Sequence, residues 1–591
     1  MNRWIEDYAM LGNGETAALL GCDGSIDWLC WPRYDGDACM AALLGGPENG
    51  FWSISPTAPF VRRDRRYQDD TLVLETEIEA SEGMVRLIDF MPVGDATNAI
   101  VRMVVGVSGT VRLSTKLCLR FNYGELAPWT TQKANTVEAC VGPDFVVLRA
   151  DVPLCVQDGD VATEFEVSEG QTKTFLLAYG MSHRGALPPF DVEQALSKTQ
   201  QHWRSWINQF DDTRTQWPHV VRRSLLTLKA LIHRDTGAMI AAPTTSLPEA
   251  PGGTLNWDYR YCWLRDSCFA LVALLNAGFK DEACAWRDWL LRTIAGSPDH
   301  ILIMYRIDGG RHLREWTVDW LQGYQYATPV RIGNAASGQK QVDVLGEVID
   351  CLDVARRGGL RSSQHENLIE SRIVEHLEKV WNTAGSGIWE SRAKPRHYTY
   401  SRVMAWVALD RYIRRRASRD ADLALMDKLV ALKTRIHNEV YEQAWNEGLG
   451  TFTQYYGGDE PDASLLLLTL VGFLPADDPR MAATIETIGR ELNENGLIRR
   501  HKRTKRGPNE GAFLACSCWM ADCLHMQGRT AEARLQFERV LAVANDLGLF
   551  SEQYNVSRSA LAGNFPQALT HLAVVNTALG LCGPTLQRGG G

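Results

Sequence analysis

The hydrophobic pattern of this chain changes its period once, near residue 183, and no single architecture accommodates both halves. From about residue 50 to 180, short runs rich in Val, Thr and Leu alternate apolar with polar positions, as in TLVLETEIEA and MVRLIDFMPV. Turn residues separate these runs at the spacing typical of antiparallel strands in a β-sandwich. After the change, apolar positions recur at helical spacing almost to the end. A chain of 591 residues is also too long for one compact core, so we expect at least two domains.

The pattern predicts a multi-domain β + α protein in three parts. We expect an N-terminal antiparallel β-sandwich over 1–182, a helical linker over 183–215 and an all-α domain over 216–591. Pro188 and Pro189 mark the change of period.

Twelve candidate helices fill the third part. Asn564 is the predicted N-cap of the last helix, and Pro566 lies in its first turn. Twelve helices fit six hairpins in a closed ring, although periodicity alone does not establish closure. The candidates lie near 219–237, 260–278, 281–297, 342–357, 366–383, 399–416, 420–439, 460–473, 479–492, 510–527, 529–546 and 564–580.

Composition argues against several classes of function. The formal net charge is −9, whereas a nucleic-acid-binding protein needs a basic footprint. The N-terminal stretch MNRWIEDYAML has no apolar core of signal-peptide length, and no later run approaches a membrane span. We therefore expect a cytoplasmic protein that binds neither nucleic acid nor a membrane. The 14 scattered cysteines form no CxxC pair and suit reduced thiols, and no metal-ligand cluster stands out among the 13 histidines.

Tryptophan is unusually frequent, with 19 Trp against 17 Tyr and 17 Phe. The flat apolar face of indole suits sugar rings, whose C–H faces stack on it while their hydroxyls hydrogen-bond at the rim. The alternative is a large core that uses tryptophan as filler, and composition alone favours that alternative.

One acid stands beside an indole ahead of a candidate helix. Glu390 follows Trp389 and a glycine turn in GSGIWESR, just before the helix near 399–416. Burial against an indole disfavours the ionised carboxyl and raises its pKa, which suits a general acid near neutral pH. The alternative is a helix-terminal acid that pairs with Arg392 or Arg396.

A second acid, Glu552, lies in the segment LGLFSEQYNV between the last two candidate helices. If the helices form a ring, Glu390 and Glu552 can face each other across its mouth. Two carboxylates that flank a glycosidic bond are the minimal machinery of glycoside hydrolysis. A gap of about 6.5–9.5 Å between them leaves room for a water and gives inversion.

A third segment, NWDYRYCWLRDS, concentrates aromatic and charged side chains at the start of a candidate helix. Arg265 and Asp266 there offer adjacent donors and acceptors for sugar hydroxyls. The alternative is a capping aspartate with a neighbouring ion pair. The aromatic and charged residues of the segment are Trp257, Asp258, Tyr259, Arg260, Tyr261, Trp263, Arg265 and Asp266.

Seven blocks of the sequence, in order, resemble glycoside hydrolase family 15, the glucoamylase and trehalase-like group. Any one block is a weak signal, whereas seven in order over nearly the whole chain are a strong one. The blocks are GNGETAALLGCDGSIDWLCWPRYDGDACMAALLGG, TSLPEAPGGTLNWDYRYCWLRDS, PVRIGNAASGQKQVDVLGEVIDC, GIWESR with SRVMAWVALDR, DASLLLLTLVGFLPADDPR, NEGAFLACSCW and SEQY with GNFPQALTHL.

The resemblance implies an N-terminal β-sandwich followed by an (α/α)6 barrel. It also implies an inverting, exo-acting hydrolase that releases β-D-glucose from a non-reducing α-glucosyl end, with no metal or organic cofactor. Glu390 is then the general acid and Glu552 the general base. The residues that the resemblance implies for substrate binding are Arg265, Asp266 and Tyr259, with Trp257 and Trp389 lining the pocket.

One stretch departs from the family pattern. RRHKRTKRGPNEG, residues 499–511, places six Lys or Arg side chains on a loop expected near the rim of the active site. This loop is either a solvated basic loop or an anion site for phosphate, a phosphorylated sugar or an acidic saccharide. Arg503 and Lys505 are the candidate residues of the anion site.

We predict a small α-glucoside as substrate, with trehalose as the first candidate. Within the same class, the alternatives are a glucoamylase-type enzyme on isomaltose or maltooligosaccharides, or a hydrolase of a phosphorylated or acidic glucoside. Outside it, the alternative is a saccharide-binding protein that keeps the fold without turnover. The presence of both Glu390 and Glu552 argues against that last alternative. The sequence leaves homo-oligomer formation open.

Overall fold

The structure, a computed structural model, describes residues 3–94, 98–185, 187–296, 300–416, 423–502 and 510–589. Within these residues, fifteen strands form the N-terminal part. They are β1 (Tyr8–Gly12), β2 (Ala17–Gly21), β3 (Ser25–Cys30), β4 (Ala38–Met40), β5 (Phe51–Pro56), β6 (Phe60–Tyr67), β7 (Leu74–Ala80), β8 (Gly83–Phe90), β9 (Ala99–Cys118), β10 (Trp129–Lys133), β11 (Thr136–Val141), β12 (Asp144–Ala150), β13 (Val156–Gln157), β14 (Asp160–Ser168) and β15 (Thr172–Met181).

The long strand β9 joins the two sheets of this β domain. Its first half pairs with β8 and β15, and its second half pairs with β5 and β14, always antiparallel. One sheet has the order β1-β2-β3-β5-β9-β14-β13 with β4 beside β3, and the other has the order β6-β7-β8-β9-β15-β12-β11-β10. Phe165 on β14 contacts Phe175 on β15, with ring centroids 5.2 Å apart. The predicted antiparallel β-sandwich is confirmed.

Four of these strands, β1 to β4, lie before residue 50, whereas the alternating pattern predicted strands only from about residue 50 onward. β1, β2 and β3 are buried along their whole length. Both faces of β1 and β2 are apolar, so the alternation of apolar and polar residues that reveals a half-buried strand is absent there, whereas β3 also buries the polar Ser25 and Asp27.

Thirteen helices of four to twenty-one residues follow within the described residues, and the first of them is a linker helix, α1 (Val192–Ile207). The short α9 continues a 3-10 turn over Ala463–Leu466. The helices after α1 are α2 (Pro218–Leu231), α3 (Arg265–Ala277), α4 (Lys280–Ile294), α5 (Asp343–Arg357), α6 (Gln364–Val380), α7 (Thr399–Arg416), α8 (Leu423–Gln443), α9 (Leu467–Leu470), α10 (Pro479–Glu491), α11 (Leu514–Met526), α12 (Thr530–Leu541) and α13 (Ala568–Gly580).

Short strands tie the loops of the helical domain together. They are Cys262–Trp263 with Met304–Tyr305, Trp316–Thr317 with Arg331–Ile332, Trp445–Asn446 with Thr451–Phe452, Asn493–Glu494 with Leu497–Ile498, and the three-stranded set Ala512–Phe513, Gln553–Asn555 and Ala560–Ala562.

Alternate helices close into a ring. Among the described residues, α3, α5, α7, α9, α11 and α13 contact one another in that order, and α13 returns to contact α3. The other helices lie outside: α2 on α13, α4 on α3, α6 on α5 and α7, α8 on α7, and both α10 and α12 on α11. α5 and α13 are buried on nearly all sides, as inner helices of a ring must be. The predicted (α/α)6 barrel is confirmed, including the closure that periodicity could not establish.

The last helix begins later than predicted. α13 starts at Ala568 rather than near Asn564. The side chain of Asn564 is engaged elsewhere: its Oδ1 accepts a hydrogen bond from Thr244 Oγ1 at 2.8 Å, and its Nδ2 donates to Trp257 O at 2.9 Å. The predicted N-cap was wrong, because this side chain fastens the loop before α3 instead of capping a helix.

A buried arginine connects the β domain to the barrel. Arg260, on the loop before α3, is fully buried and pairs with Asp258, with Nη2 2.7 Å from Oδ2. Its Nη1 donates to Gly36 O of the β domain at 2.6 Å, and its Nη2 donates to Tyr123 OH at 3.0 Å. The β domain therefore holds the loop that leads into the first inner helix.

A buried charge cluster lies inside the ring of helices. Arg588, which follows α13 and is 4% exposed, donates from Nε to Asp350 Oδ2 at 2.7 Å and from Nη2 to Glu347 Oε2 at 2.5 Å. Asp350 also accepts a hydrogen bond from Arg411 Nε of α7 at 2.9 Å. Burial raises the pKa of Glu347 to about 7, although the charge of Arg588 opposes that rise. These ion pairs thus hold the segment after α13 against α5.

The residue types that composition singled out are divided between core and loops. Six tryptophans, namely Trp28, Trp52, Trp203, Trp286, Trp289 and Trp519, are fully buried, so part of the tryptophan content does serve core packing.

All 14 cysteines are free thiols. In the part of the chain that the structure describes, each helix lacks the length or the apolar content to cross a membrane.

Candidate active site

A cavity of about 480 Å³ lies at the N-terminal ends of the inner helices. Its walls come from the segments that precede these helices, which are the long loops between the predicted hairpins. The seven residues proposed from the sequence for catalysis or substrate binding all line this cavity: Trp257, Tyr259, Arg265, Asp266, Trp389, Glu390 and Glu552.

Glu390 lies on the cavity wall in a tight turn. Its backbone has φ +56°, and its amide donates to Gly387 O at 3.0 Å. Its Oε1 accepts hydrogen bonds from Trp263 Nε1 at 2.6 Å and from Arg265 Nη1 at 3.3 Å. Burial raises the pKa of Glu390, while the charge of Arg265 and the indole hydrogen bond oppose the rise. The carboxyl is thus biased toward the protonated form that a general acid needs.

The indole that contacts Glu390 is Trp263 rather than its sequence neighbour Trp389. The alternative partners named from the sequence lie elsewhere. Arg392 binds Glu315, with Nη1 3.0 Å from Oε1. The Arg396 guanidinium lies over a tyrosine ring, 4.0 Å from its centroid. The interpretation of Glu390 as a helix-terminal acid paired with either arginine was therefore wrong.

Glu552 is far from Glu390 in the sequence but lines the same cavity, directly before the short strand Gln553–Asn555. The residue is 2% exposed, and its Oε1 accepts from Tyr259 OH at 2.6 Å and from Gln567 Nε2 at 3.3 Å. Its Oε2 has no hydrogen-bond partner among the described residues. Burial raises the pKa of Glu552, whereas the Arg500 charge and the Tyr259 hydrogen bond favour the ionised form.

Arg265 and Asp266 open the inner helix α3 at the cavity floor. Arg265 Nε donates to Asp266 Oδ1 at 2.8 Å, and Arg265 Nη1 donates to Ile388 O at 3.0 Å. The side chains are 18% and 10% exposed. Their remaining donor and acceptor atoms can bind sugar hydroxyls, as a pair of this kind does when it faces a cavity.

The two tryptophans assigned to the pocket are held in different ways. Arg331 and Arg392 lie against the Trp257 ring, with guanidinium carbons 4.5 and 4.1 Å from its centroid. Trp389 donates from Nε1 to both carboxylate oxygens of Asp462, at 3.0 and 2.9 Å. Both indoles are therefore fixed before any ligand enters.

Sequence reasoning missed several polar residues of the cavity wall. Arg500 pairs with Glu249 and donates from Nη2 to Glu510 Oε2 at 2.7 Å. Gln553, next to Glu552, donates from Nε2 to Glu249 Oε2 at 2.9 Å. The signal available in the sequence was the basic stretch, which contains both Arg500 and Glu510, but the second acidic partner, Glu249, is 251 residues away from Arg500 in the chain.

The proposed anion-site residues Arg503 and Lys505 lie outside the described residues. The described ends of the same stretch do reach the cavity, because Arg500, His501, Lys502 and Glu510 are among its lining residues. The basic stretch therefore contributes to the wall of the site.

The arrangement places two carboxyl groups, each with a pKa raised by burial, on one cavity with separate hydrogen-bond partners. Such a pair can supply an acid and a base on either side of a glycosidic bond. Within the described ranges, no three His, Cys, Asp or Glu side chains are grouped so as to hold a metal ion.

Comparison with known proteins assigns this fold and site to a class. The family model for glycosyl hydrolases family 15 matches residues 218–579, and the model for the trehalase-like N-terminal domain matches residues 2–168. The trehalase of Mycobacterium tuberculosis is 35% identical, over 97% of this chain and 89% of that protein. The trehalase of Thermoplasma volcanium is 32% identical, over 97% of this chain and 93% of that protein.

A solved structure agrees in fold. A bacterial glucoamylase complexed with acarbose matches with a TM-score of 0.75 at 13% identity, and the match covers 98% of this chain and 95% of that chain. The β-sandwich, the (α/α)6 barrel and the family models together define a glycoside hydrolase. The family models match both structural parts of the molecule. The chain belongs to glycosyl hydrolases family 15, which confirms the resemblance of the seven sequence blocks.

Proposed function

We propose that this enzyme hydrolyses trehalose to two molecules of glucose with inversion at one anomeric carbon. The observation that supports the chemistry is that Glu390 and Glu552 line one cavity together with the Arg265–Asp266 pair. Trehalose is the substrate because the trehalases cited above are similar to this chain over nearly its whole length.

In the proposed mechanism, the non-reducing glucosyl ring lies on Arg265 and Asp266 between the two acids. Glu390, protonated, donates its proton to the glycosidic oxygen as the C–O bond breaks. Glu552, ionised, accepts a proton from the water that attacks the anomeric carbon from the opposite face. The Tyr259 hydrogen bond to Oε1 keeps the carboxylate oriented.

The identity of the products tests the mechanism. Hydrolysis of α,α-trehalose with inversion yields one β-D-glucose and one α-D-glucose, whereas retention yields the α anomer alone. We expect NMR spectra recorded before mutarotation to show both anomers in equal amounts. Glucose release from trehalose, maltose, isomaltose, kojibiose and their phosphates then ranks the substrates. Faster turnover of maltose or isomaltose would assign a glucoamylase-type activity instead.

Replacement of either acid by glutamine tests the assignment of roles. We expect Glu390→Gln and Glu552→Gln each to lower kcat by about 10²–10⁴-fold, since each removes one proton transfer. Glu375→Gln, at an exposed helix position where the side chain is 57% exposed, is the matched control and should retain full activity. Near-normal hydrolysis by either cavity variant would refute the roles, provided that circular dichroism shows a native fold.

The proposed partner is a small carbohydrate, bound at its non-reducing end. Cytoplasmic localisation stays a prediction, and homo-oligomer formation stays open. A fractionated lysate and sedimentation of the purified protein test them directly.

A further inference from the structure

A histidine that the proposed mechanism does not use lies on the cavity beside Trp389, the neighbour of Glu390 in the chain. His501 lines the cavity, and its side chain is 34% exposed. The side chains of Asp266 and Glu390 are 10% and 18% exposed, and that of Lys502, next to His501, is 49% exposed. Side-chain exposure thus increases from Asp266, in the proposed glucose subsite, through Glu390 to His501. Since a general acid stands beside the leaving oxygen, the region beyond Glu390 receives the leaving group.

His501 is anchored by an acid that also anchors the neighbour of Glu390. Its Nδ1 lies 2.9 Å from Asp462 Oδ2, and the Asp462 side chain is fully buried. Asp462 also accepts both hydrogen bonds of Trp389 and the amide hydrogen bond of Gln454 Nε2, at 2.9 Å. The His501 and Trp389 rings meet nearly edge to face, with centroids 6.0 Å apart. The imidazole therefore has one orientation set by the protein.

The anchor also fixes which nitrogen of His501 carries the proton. The pKa of Asp462 is lowered, because hydrogen bonds from His501, Ser464 and Trp389 outweigh its burial. An ionised carboxylate only accepts hydrogen bonds, so Nδ1 donates. Gln454 Nε2 lies farther from the same Nδ1, at 3.3 Å. In the neutral ring Nε2 is then an acceptor, and among the described residues it has no hydrogen-bond partner.

We propose that His501 is a specificity-determining residue that binds the leaving-group sugar, its Nε2 accepting a hydrogen bond from a hydroxyl of that sugar. The inference rests on the proposed glucoside hydrolysis and adds the second half of the substrate to it. A leaving group without hydroxyls gains nothing from this nitrogen. The site therefore favours a glucosyl unit joined to another sugar over one joined to an apolar alcohol.

The test compares two leaving groups in His501→Asn. The asparagine Nδ2 can donate to Asp462 as the imidazole Nδ1 does, so the anchor is kept and only the cavity-facing nitrogen is lost. Trehalose is compared with cyclohexyl α-D-glucoside, whose leaving group has a sugar-sized ring and needs a proton but carries no further hydroxyl. We expect kcat/KM for trehalose to fall roughly tenfold, as for one lost hydrogen bond, and kcat/KM for the cyclohexyl glucoside to stay within about twofold.

Each other outcome has a definite meaning. An equal fall for both substrates would show that His501 acts only by positioning Trp389 and Glu390, and would overturn the proposal, as would no change for either. Single-turnover measurement with excess enzyme keeps the slower substrate measurable, and a melting temperature equal to that of the wild type excludes misfolding. If the wild type cleaves another glucobiose instead of trehalose, the proposed substrate fails, and the same comparison with that glucobiose still decides the role of His501.

Discussion

At the scale of single residues, we expect the hydroxyl of Tyr259 to set the acid limit of activity. Its hydrogen bond to Glu552 favours the ionised carboxylate and so lowers the pKa of Glu552. Tyr259→Phe removes that effect, so the pKa rises and the base stays protonated to a higher pH. We expect the acid limb of the kcat/KM profile to move to higher pH. Tyr261→Phe, two positions along and off the cavity, is the control, and an unmoved limb in Tyr259→Phe would contradict the role of Glu552 as base.

We expect the indole of Trp263 to set the basic limit of activity in the same way, through the proposed general acid Glu390. The indole Nε1–H stabilises ionised Glu390, so Trp263→Phe raises the pKa of that carboxyl further. A general acid must be protonated, and the variant should therefore keep its activity to higher pH on the basic limb. Trp445→Phe, in an outer hairpin, is the control. If the basic limb of the kcat/KM profile moves to lower pH, or if only the acid limb moves, the proton donor is another group.

At the scale of elements, Arg588 supports the inner helix α5. Without its guanidinium, Glu347 and Asp350 lose a buried partner, and we expect Arg588→Ala to lower the free energy of unfolding by about 3–5 kcal/mol. The exposed Arg558→Ala should change it by less than about 0.5 kcal/mol. Denaturant titration followed by circular dichroism measures both values.

The same variant has a predicted pH dependence. The pKa of Glu347 is already raised to about 7 in the folded protein, and Arg588 is the charge that holds it down. In Arg588→Ala this pKa rises further, so the folded state binds a proton that the unfolded state, with an ordinary carboxyl, releases. The sign follows from linkage: stability falls as pH increases above the unfolded value. Arg588→Ala should be less destabilised at about pH 5 than at about pH 8, and a loss that is independent of pH would contradict the cluster.

The elements themselves were largely readable from the sequence, whereas their partners were not. The change of period separated strands from helices, and the long loops before the inner helices do line the cavity. The pattern missed β1 and β2 because they are buried on both faces and apolar throughout. The contact of Glu390 with Trp263, and of His501 with Asp462, joins segments that are 127 and 39 residues apart. Adjacent residues of a loop point their side chains in different directions. The position of Trp389 next to Glu390 in the sequence therefore suggested the wrong indole as the hydrogen-bond partner of Glu390.

At the scale of the whole molecule, Arg260 makes the active site depend on the β domain. It is fully buried and bonds to both domains, and it stands directly after Tyr259. We expect Arg260→Leu to lower the melting temperature and kcat together, although Arg260 does not line the cavity. Arg120→Leu, which breaks an ion pair within the sandwich (Nη1 2.7 Å from Asp160 Oδ1), is the control. Full activity in Arg260→Leu would show that the barrel forms its active site without this contact to the β domain.

The position of Arg588 also has a consequence for biosynthesis. Translation proceeds from the N-terminus, so the ribosome makes every helix of the ring before it makes the arginine that neutralises Glu347 and Asp350. A nascent chain that has emerged only as far as α13 carries two acids inside a ring with no partner from this segment. Completion of the barrel is thus coupled to synthesis of the segment that follows α13, and chains stalled before Arg588 should be targets for quality-control proteases.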